Sequence, residues 1–214
     1  MSIGLFGGTF DPVHNGHLKI AFEMLRLLNL TELRFVPCAI PAHRNSPLVS
    51  FEDRAAMLEL AIKTEPRFVC DRREILRMTT SYTIDTLAEV REEMGGNSAL
   101  IFLMGIDVVE AINKWKSWRS LLNFAHLVIV DRPGWSCQFP TDVDEWIKVN
   151  RTISISELQK SPCGLIYLAS LSALDISATD VRGILCRGGV AQDLLPASVQ
   201  EFVIENNLYV DLEM

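Results

Sequence analysis

The first seventeen residues constrain the chain most. Ser2-Ile3-Gly4-Leu5-Phe6 is a short apolar run of the kind a buried strand shows. Gly7-Gly8-Thr9-Phe10-Asp11-Pro12 interrupts it, because paired glycines and an Asp-Pro step are strong turn signals. His14-Asn15-Gly16-His17 follows, after which Leu18, Ala21, Phe22, Leu25 and Leu28 recur at helical spacing. A strand thus runs through a glycine-rich turn into a helix with two histidines on its first turn. Free N–H groups of such a turn, backed by the positive end of the helix dipole, favour a bound phosphate. His14 and His17, three apart, share a helix face. Neutral imidazole donates to phosphate oxygens, and protonated imidazole adds charge. In an alternative reading one histidine caps the helix and the other packs on the strand. A metal site is a further alternative, but no Cys or carboxylate accompanies the pair at ligand spacing. Phosphate handling is the expectation.

The stretch from Gly7 to His17 resembles the phosphate-binding signature of the nucleotidylyltransferase superfamily, built around His-x-Gly-His. Its wording is most similar to the bacterial nicotinate-nucleotide adenylyltransferase family. The resemblance implies a nucleotidyltransferase of NAD (pyridine nucleotide) biosynthesis, passing AMP from ATP to nicotinate mononucleotide with loss of pyrophosphate. By the same resemblance Gly7, Gly8, Thr9, Phe10, His14 and His17 hold the ATP phosphates. Mg²⁺ would come with ATP, leaving no metal site on the protein itself. Two alternatives remain: another adenylyltransferase of the superfamily, such as one acting on phosphopantetheine, and a non-catalytic nucleotide sensor.

The rest of the chain alternates strands and helices. Strands are expected at 33–38, 68–70, 100–104, 125–130 and 165–168, with the run at 100–104 apolar throughout, as for a central parallel strand buried on both faces. Helices are expected at 51–63, at 82–94 after a Ser81 cap and before Gly95-Gly96, at about 178–186 and at 197–206. Residues 39–50 read as an exposed loop and 71–78 as a charged connection. This alternation predicts an α/β, Rossmann-like open parallel sheet with helices on both faces, of the nucleotidylyltransferase type. A length of 214 residues with 49% hydrophobic content fits one domain over 1–214, with a C-terminal helical part at about 176–210 packed on it.

A net charge of −7 without a basic cluster argues against nucleic acid. Short apolar stretches argue against a membrane span, and the first residues lack a signal-peptide pattern. Five scattered cysteines, Cys38, Cys70, Cys137, Cys163 and Cys186, suit reduced packing thiols in a cytoplasmic protein. Small-molecule partners and a monomer or small homo-oligomer are expected.

Ligands of such a sheet bind beyond the strands' carboxyl ends, where further segments should converge. Ser177 and Asp180 form a capping pattern that starts a helix, offering Ala178, Thr179 and Arg182 to an anion. Ile176 to Arg182 resembles the second superfamily signature, Ile-Ser-x-Thr-x-x-Arg, which implies ATP contacts from Ile176, Ser177, Thr179 and Arg182. Ala178 replaces the second serine of many members. Gly105 and Asp107 are expected at the nucleotide edge by resemblance, with Asp107 as a helix cap the alternative. Trp115 resembles the tryptophan that stacks on the pyridine ring, whereas Trp118 reads as packing. By resemblance Tyr82 and Thr83, at a helix start, receive the nicotinate carboxylate. Pro41-Ala42-His43-Arg44 resembles a basic segment facing phosphate, with Arg44 the stronger candidate. His126 reads as a satisfied strand-end histidine. Arg54 and Glu74 either pair or line the site.

Overall fold

A computed structural model describes residues 2–42, 46–131, 139–171 and 176–210. Among them seven strands form one open sheet: β1 (Ser2–Gly8), β2 (Glu32–Pro37), β3 (Phe68–Cys70), β4 (Ala99–Gly105), β5 (His126–Val130), β6 (Arg151–Thr152) and β7 (Ile166–Ala169). Their order is β3-β2-β1-β4-β5-β7-β6, and every pairing is parallel. The helices are α1 (Asn15–Leu27), α2 (Phe51–Ile62), α3 (Arg73–Leu76), α4 (Thr83–Met94), α5 (Ile106–Val109), α6 (Thr141–Asn150), α7 (Ile155–Lys160), α8 (Ala178–Cys186) and α9 (Ala197–Glu205). Two 3₁₀ turns, Ile112–Lys114 and Trp118–Asn123, join α5 to β5.

The apolar runs of the central strands follow from burial on both faces. On β4, Leu100, Phe102 and Met104 pack with Leu87 and Val90 of α4. The alternate residues Ile101 and Leu103 pack with Met24 and Leu25 of α1 and Met57 and Leu58 of α2. β5 divides likewise, Leu127 and Ile129 to one side and Val128 and Val130 to the other. Period-two alternation between two apolar layers leaves no position for a polar side chain. Each fully buried large side chain contributes about 1.5–3 kcal/mol, so the strand ends at the sheet centre are firmly placed.

Several local expectations change. The segment 71–78 contains the short helix α3. α6, β6 and α7 lie where no element was expected, although Val143, Trp146 and Ile147 show helical spacing and are buried. Ser81 does not cap α4. Tyr82 holds the N-cap position without a side-chain bond, and Ser81 Oγ instead accepts from the Ile40 N–H at 3.2 Å while the Ser81 N–H donates to the Ile40 carbonyl at 2.8 Å. The β2–α2 loop is thereby fastened to the start of α4.

The C-terminal helices close over the opening motif. The Ser198 hydroxyl donates to the Leu60 carbonyl on α2 at 3.4 Å, and the Asn15 N–H donates to the Leu194 carbonyl at 2.8 Å. Among the described residues no helix is long and apolar enough to cross a membrane.

Candidate active site

The chain leaves β1 toward β2 and β3 on one side, then returns to place β4 on the other. Strand order therefore reverses between β1 and β4, and their carboxyl ends, Gly7-Gly8 and Gly105, border the crevice where such sheets bind ligands. Two cavities open there, of about 680 Å³ and about 180 Å³. Both are bordered by Gly7, Gly8, Thr9, Met104, Gly105 and Val108, so they adjoin at the glycine turn. A Cβ at Gly8 would sit 2.9 Å from the Phe10 ring, and one at Gly105 would run into Asp107 Oδ1. The buried Phe10 ring leaves little room for a side chain at Gly8, whereas the Asp107 side chain can turn away from one at Gly105.

The larger cavity gathers Gly7, Gly8, Thr9, Phe10, His14, His17, Gly105, Asp107, Ile176, Ser177, Thr179 and Arg182. These are the twelve residues that the sequence reading gives to ATP. His14 is the N-cap of α1 and His17 its third residue, and each ring serves the other's backbone. The His17 N–H donates to His14 Nδ1 at 3.4 Å, and the His14 N–H donates to His17 Nδ1 at 3.3 Å. An accepting Nδ1 puts the proton of each neutral ring on Nε2. The rings stack with centroids 3.6 Å apart. Capping and phosphate binding, set out above as alternatives, are thus compatible in one geometry.

His17 also meets the Phe10 ring at 5.1 Å and the Phe6 ring at 6.0 Å. Burial, with the neighbouring His14 charge, holds its pKa well below the ordinary imidazole value. His126 is fully buried, its Nε2 2.9 Å from the Ser161 carbonyl oxygen and its Nδ1 accepting from the Leu165 N–H at 3.1 Å. Burial again lowers its pKa, and it is the satisfied strand-end residue expected. For both histidines the unfolded value is the higher one, near about 6.5. Their contribution to stability is therefore present above that pH and lost as pH falls toward the folded values. The free energy of unfolding in urea should drop between about pH 7.5 and pH 5.5, and His17→Gln should flatten part of that slope. An unchanged value across the interval would contradict it.

Arg182, on the second turn of α8, donates through Nη1 to the Asp11 carbonyl at 2.8 Å and through Nη2 to Thr179 Oγ1 at 3.2 Å. Its buried Nε has no hydrogen-bond partner among the described residues. Ser177 caps α8 as expected, with Oγ accepting from the Asp180 N–H at 3.1 Å and donating to Asp180 Oδ2 at 2.5 Å. The Ser177 hydroxyl proton is thereby committed to Asp180. Asp107 sits in the first turn of α5, where no side-chain cap bond forms, so it is not the helix cap of the alternative reading.

The smaller cavity gathers Tyr82, Thr83 and Trp115 beside Phe102, Glu74 and Lys116. Lys116 Nζ bonds to Asp85 at 2.9 Å and lies 4.7 Å from the Tyr82 ring centre, tying the Trp115 segment to the start of α4. Trp118 is buried and edge-on to Trp146 at 4.8 Å, confirming it as packing. Glu74 lines the cavity, accepting from Thr86 Oγ1 at 2.8 Å, with Arg77 Nη2 at 3.5 Å. Arg54 instead lies beneath the turn at 1% exposure, Nη1 donating to the Thr9 carbonyl at 2.7 Å. Their hydrogen bonds thus go to different partners, Thr9 for Arg54 and Thr86 for Glu74. Cys38, expected as packing, stands on the wall of the smaller cavity. Burial pushes the Cys70 thiol up to about 11, which keeps it protonated. Arg44, His43 and Cys137 fall outside the described residues.

Arg54 and Asp11 carry more than the sequence alone assigns them. Arg54 shares a helical stripe with Leu58 and Ile62, an odd place for a charge. Asp11 is buried at 5% exposure, beyond any turn-forming role.

Residues 5–184 match the cytidylyltransferase-like family. A probable nicotinate-nucleotide adenylyltransferase of Aeromonas hydrophila is 42% identical over 207 residues, covering 97% of this chain and 96% of the relative. One of Cellvibrio japonicus is 39% identical, covering 97% and 98%. Among solved structures, Plasmodium falciparum nicotinic acid mononucleotide adenylyltransferase complexed with NaAD superposes with a TM-score of 0.74 at 20% identity, covering 97% of each chain. At that identity the likeness shows the fold.

Proposed function

Because the chain belongs to the cytidylyltransferase-like family, and within it to the nicotinate-nucleotide adenylyltransferases, we propose that it joins ATP and nicotinate mononucleotide into nicotinate adenine dinucleotide. The observation carrying this assignment is the pair of cavities adjoining at Gly7-Gly8-Thr9, one holding both histidines and Arg182, the other Trp115 and the start of α4. ATP takes the larger cavity and the mononucleotide the smaller. A 5′-phosphate oxygen of the mononucleotide attacks the α-phosphorus of ATP in line. The new P–O bond forms as the bond to the β-phosphate oxygen breaks, and pyrophosphate carries away the electron pair. A phosphate dianion is already a nucleophile at neutral pH, so catalysis consists of positioning and charge stabilisation. The turn amides and the Nε2–H groups of His14 and His17 donate to the α- and β-phosphates, and Arg182 holds the departing pyrophosphate. Gly105 and Asp107 meet the ribose.

Mg²⁺ would come with ATP and would supply neutralisation of the triphosphate charge. Among the described residues no three His, Cys, Asp or Glu side chains gather to hold a metal. Tyr82 and Thr83 meet the nicotinate carboxylate at the amino end of α4. The free thiols of Cys70 and Cys163 are what a reducing cytoplasm would maintain.

Trp115 supplies the stacking face for the pyridine ring, worth about 0.5–1.5 kcal/mol beyond its buried area. Trp115→Ala should raise the KM for the mononucleotide roughly tenfold or more and leave that for ATP within about twofold. Steady-state kinetics with each substrate varied checks this, and equal losses for both would refute the stacking role.

A further inference from the structure

Tyr209 is 2% exposed, lies beyond the last helix, and its hydroxyl donates to Asp11 Oδ1 at 2.8 Å across 198 positions of sequence. The other carboxylate oxygen, Oδ2, accepts from the Leu48 N–H at 2.9 Å, and the Asp11 carbonyl accepts from Arg182. One residue beside the glycine turn therefore joins the C-terminal segment, the β2–α2 loop and α8. Asp11 is also an acid on the wall of the cavity that holds both histidines and Arg182. A carboxylate there repels a triphosphate unless its charge is turned aside and stabilised by donors. Both of its oxygens have such a donor, one from a tail residue and one from the loop.

We propose that Tyr209 is a positioning residue for ATP, acting through Asp11: its hydroxyl holds the Asp11 carboxylate away from the triphosphate and keeps the Thr9–Asp11 turn in its binding conformation. This rests on the assignment of the larger cavity to ATP. Tyr209→Phe keeps the buried ring and removes the donor. A hydrogen bond to a charged acceptor is lost, and the carboxylate can turn toward the cavity, so binding of α,β-methylene ATP with Mg²⁺ should weaken about tenfold. Nicotinate mononucleotide, bound next door, should keep its affinity within about twofold.

Calorimetric titration of the folded full chain with each ligand separates the outcomes. In Asp11→Asn the neutral amide removes the repulsion, so adding Tyr209→Phe to it should weaken analogue binding less than twofold further. Unchanged analogue affinity in Tyr209→Phe would overturn the proposal, as would equal weakening of both ligands, which marks a purely structural residue. Additive losses in the double variant would overturn the route through Asp11. Failure of the unsubstituted protein to bind the analogue would instead refute the assignment of the cavity to ATP.

Discussion

Replacing His17 with alanine should lower turnover by roughly 10²–10³-fold, the usual effect of deleting one preorganised donor aimed at developing charge. The imidazole is held from three sides, by the stacked His14 ring and by Phe6 and Phe10, and its Nδ1 accepts from the His14 N–H. Such a ring has little freedom to lose when substrate binds, and its depressed pKa keeps it neutral, with the donor on Nε2. His17→Ala leaves the His14 cap acceptor in place, so the helix should persist and the loss should fall on kcat more than on the KM for ATP. Circular dichroism would verify folding. Turnover within about threefold of the unsubstituted protein would remove His17 from the mechanism.

Arg182→Ala should raise the KM for ATP by roughly 10–100-fold, the range expected when a charge-assisted contact is lost. Its guanidinium reaches the Asp11 carbonyl from one nitrogen and Thr179 from another, while the third is buried with no hydrogen-bond partner among the described residues. An incompletely satisfied cation on the cavity wall is suited to an anion. Arg182→Lys should recover only part of the loss, because an ammonium cannot reproduce the planar fork. Unchanged ATP affinity and turnover in Arg182→Ala would contradict the role.

The central part of the site was legible because it is local. Strand, turn and helix succeed one another within residues 2–27, and the turn residues and histidines have spacings that carry their meaning. The apolar run at 100–104 announced a strand covered on both faces, and β4 is buried as expected. Ser177 is visible as a cap because its partner Asp180 stands three residues on. Other features depend on contacts that spacing cannot reveal. Ser81 has every local credential of a cap, yet it bonds Ile40 across 41 positions, and tertiary pairing overrides propensity. Tyr209 reaches Asp11 from the far end of the chain. β6, two residues long, is a strand only because β7 lies beside it.

The most direct measurement is pyrophosphate release from ATP and Mg²⁺ with nicotinate mononucleotide, nicotinamide mononucleotide or phosphopantetheine supplied in parallel. Rapid release with nicotinate mononucleotide, far slower release with its amide and none with phosphopantetheine is the predicted result. Release with phosphopantetheine alone, or with none of the three, would contradict the assignment of adenylyl transfer to nicotinate mononucleotide.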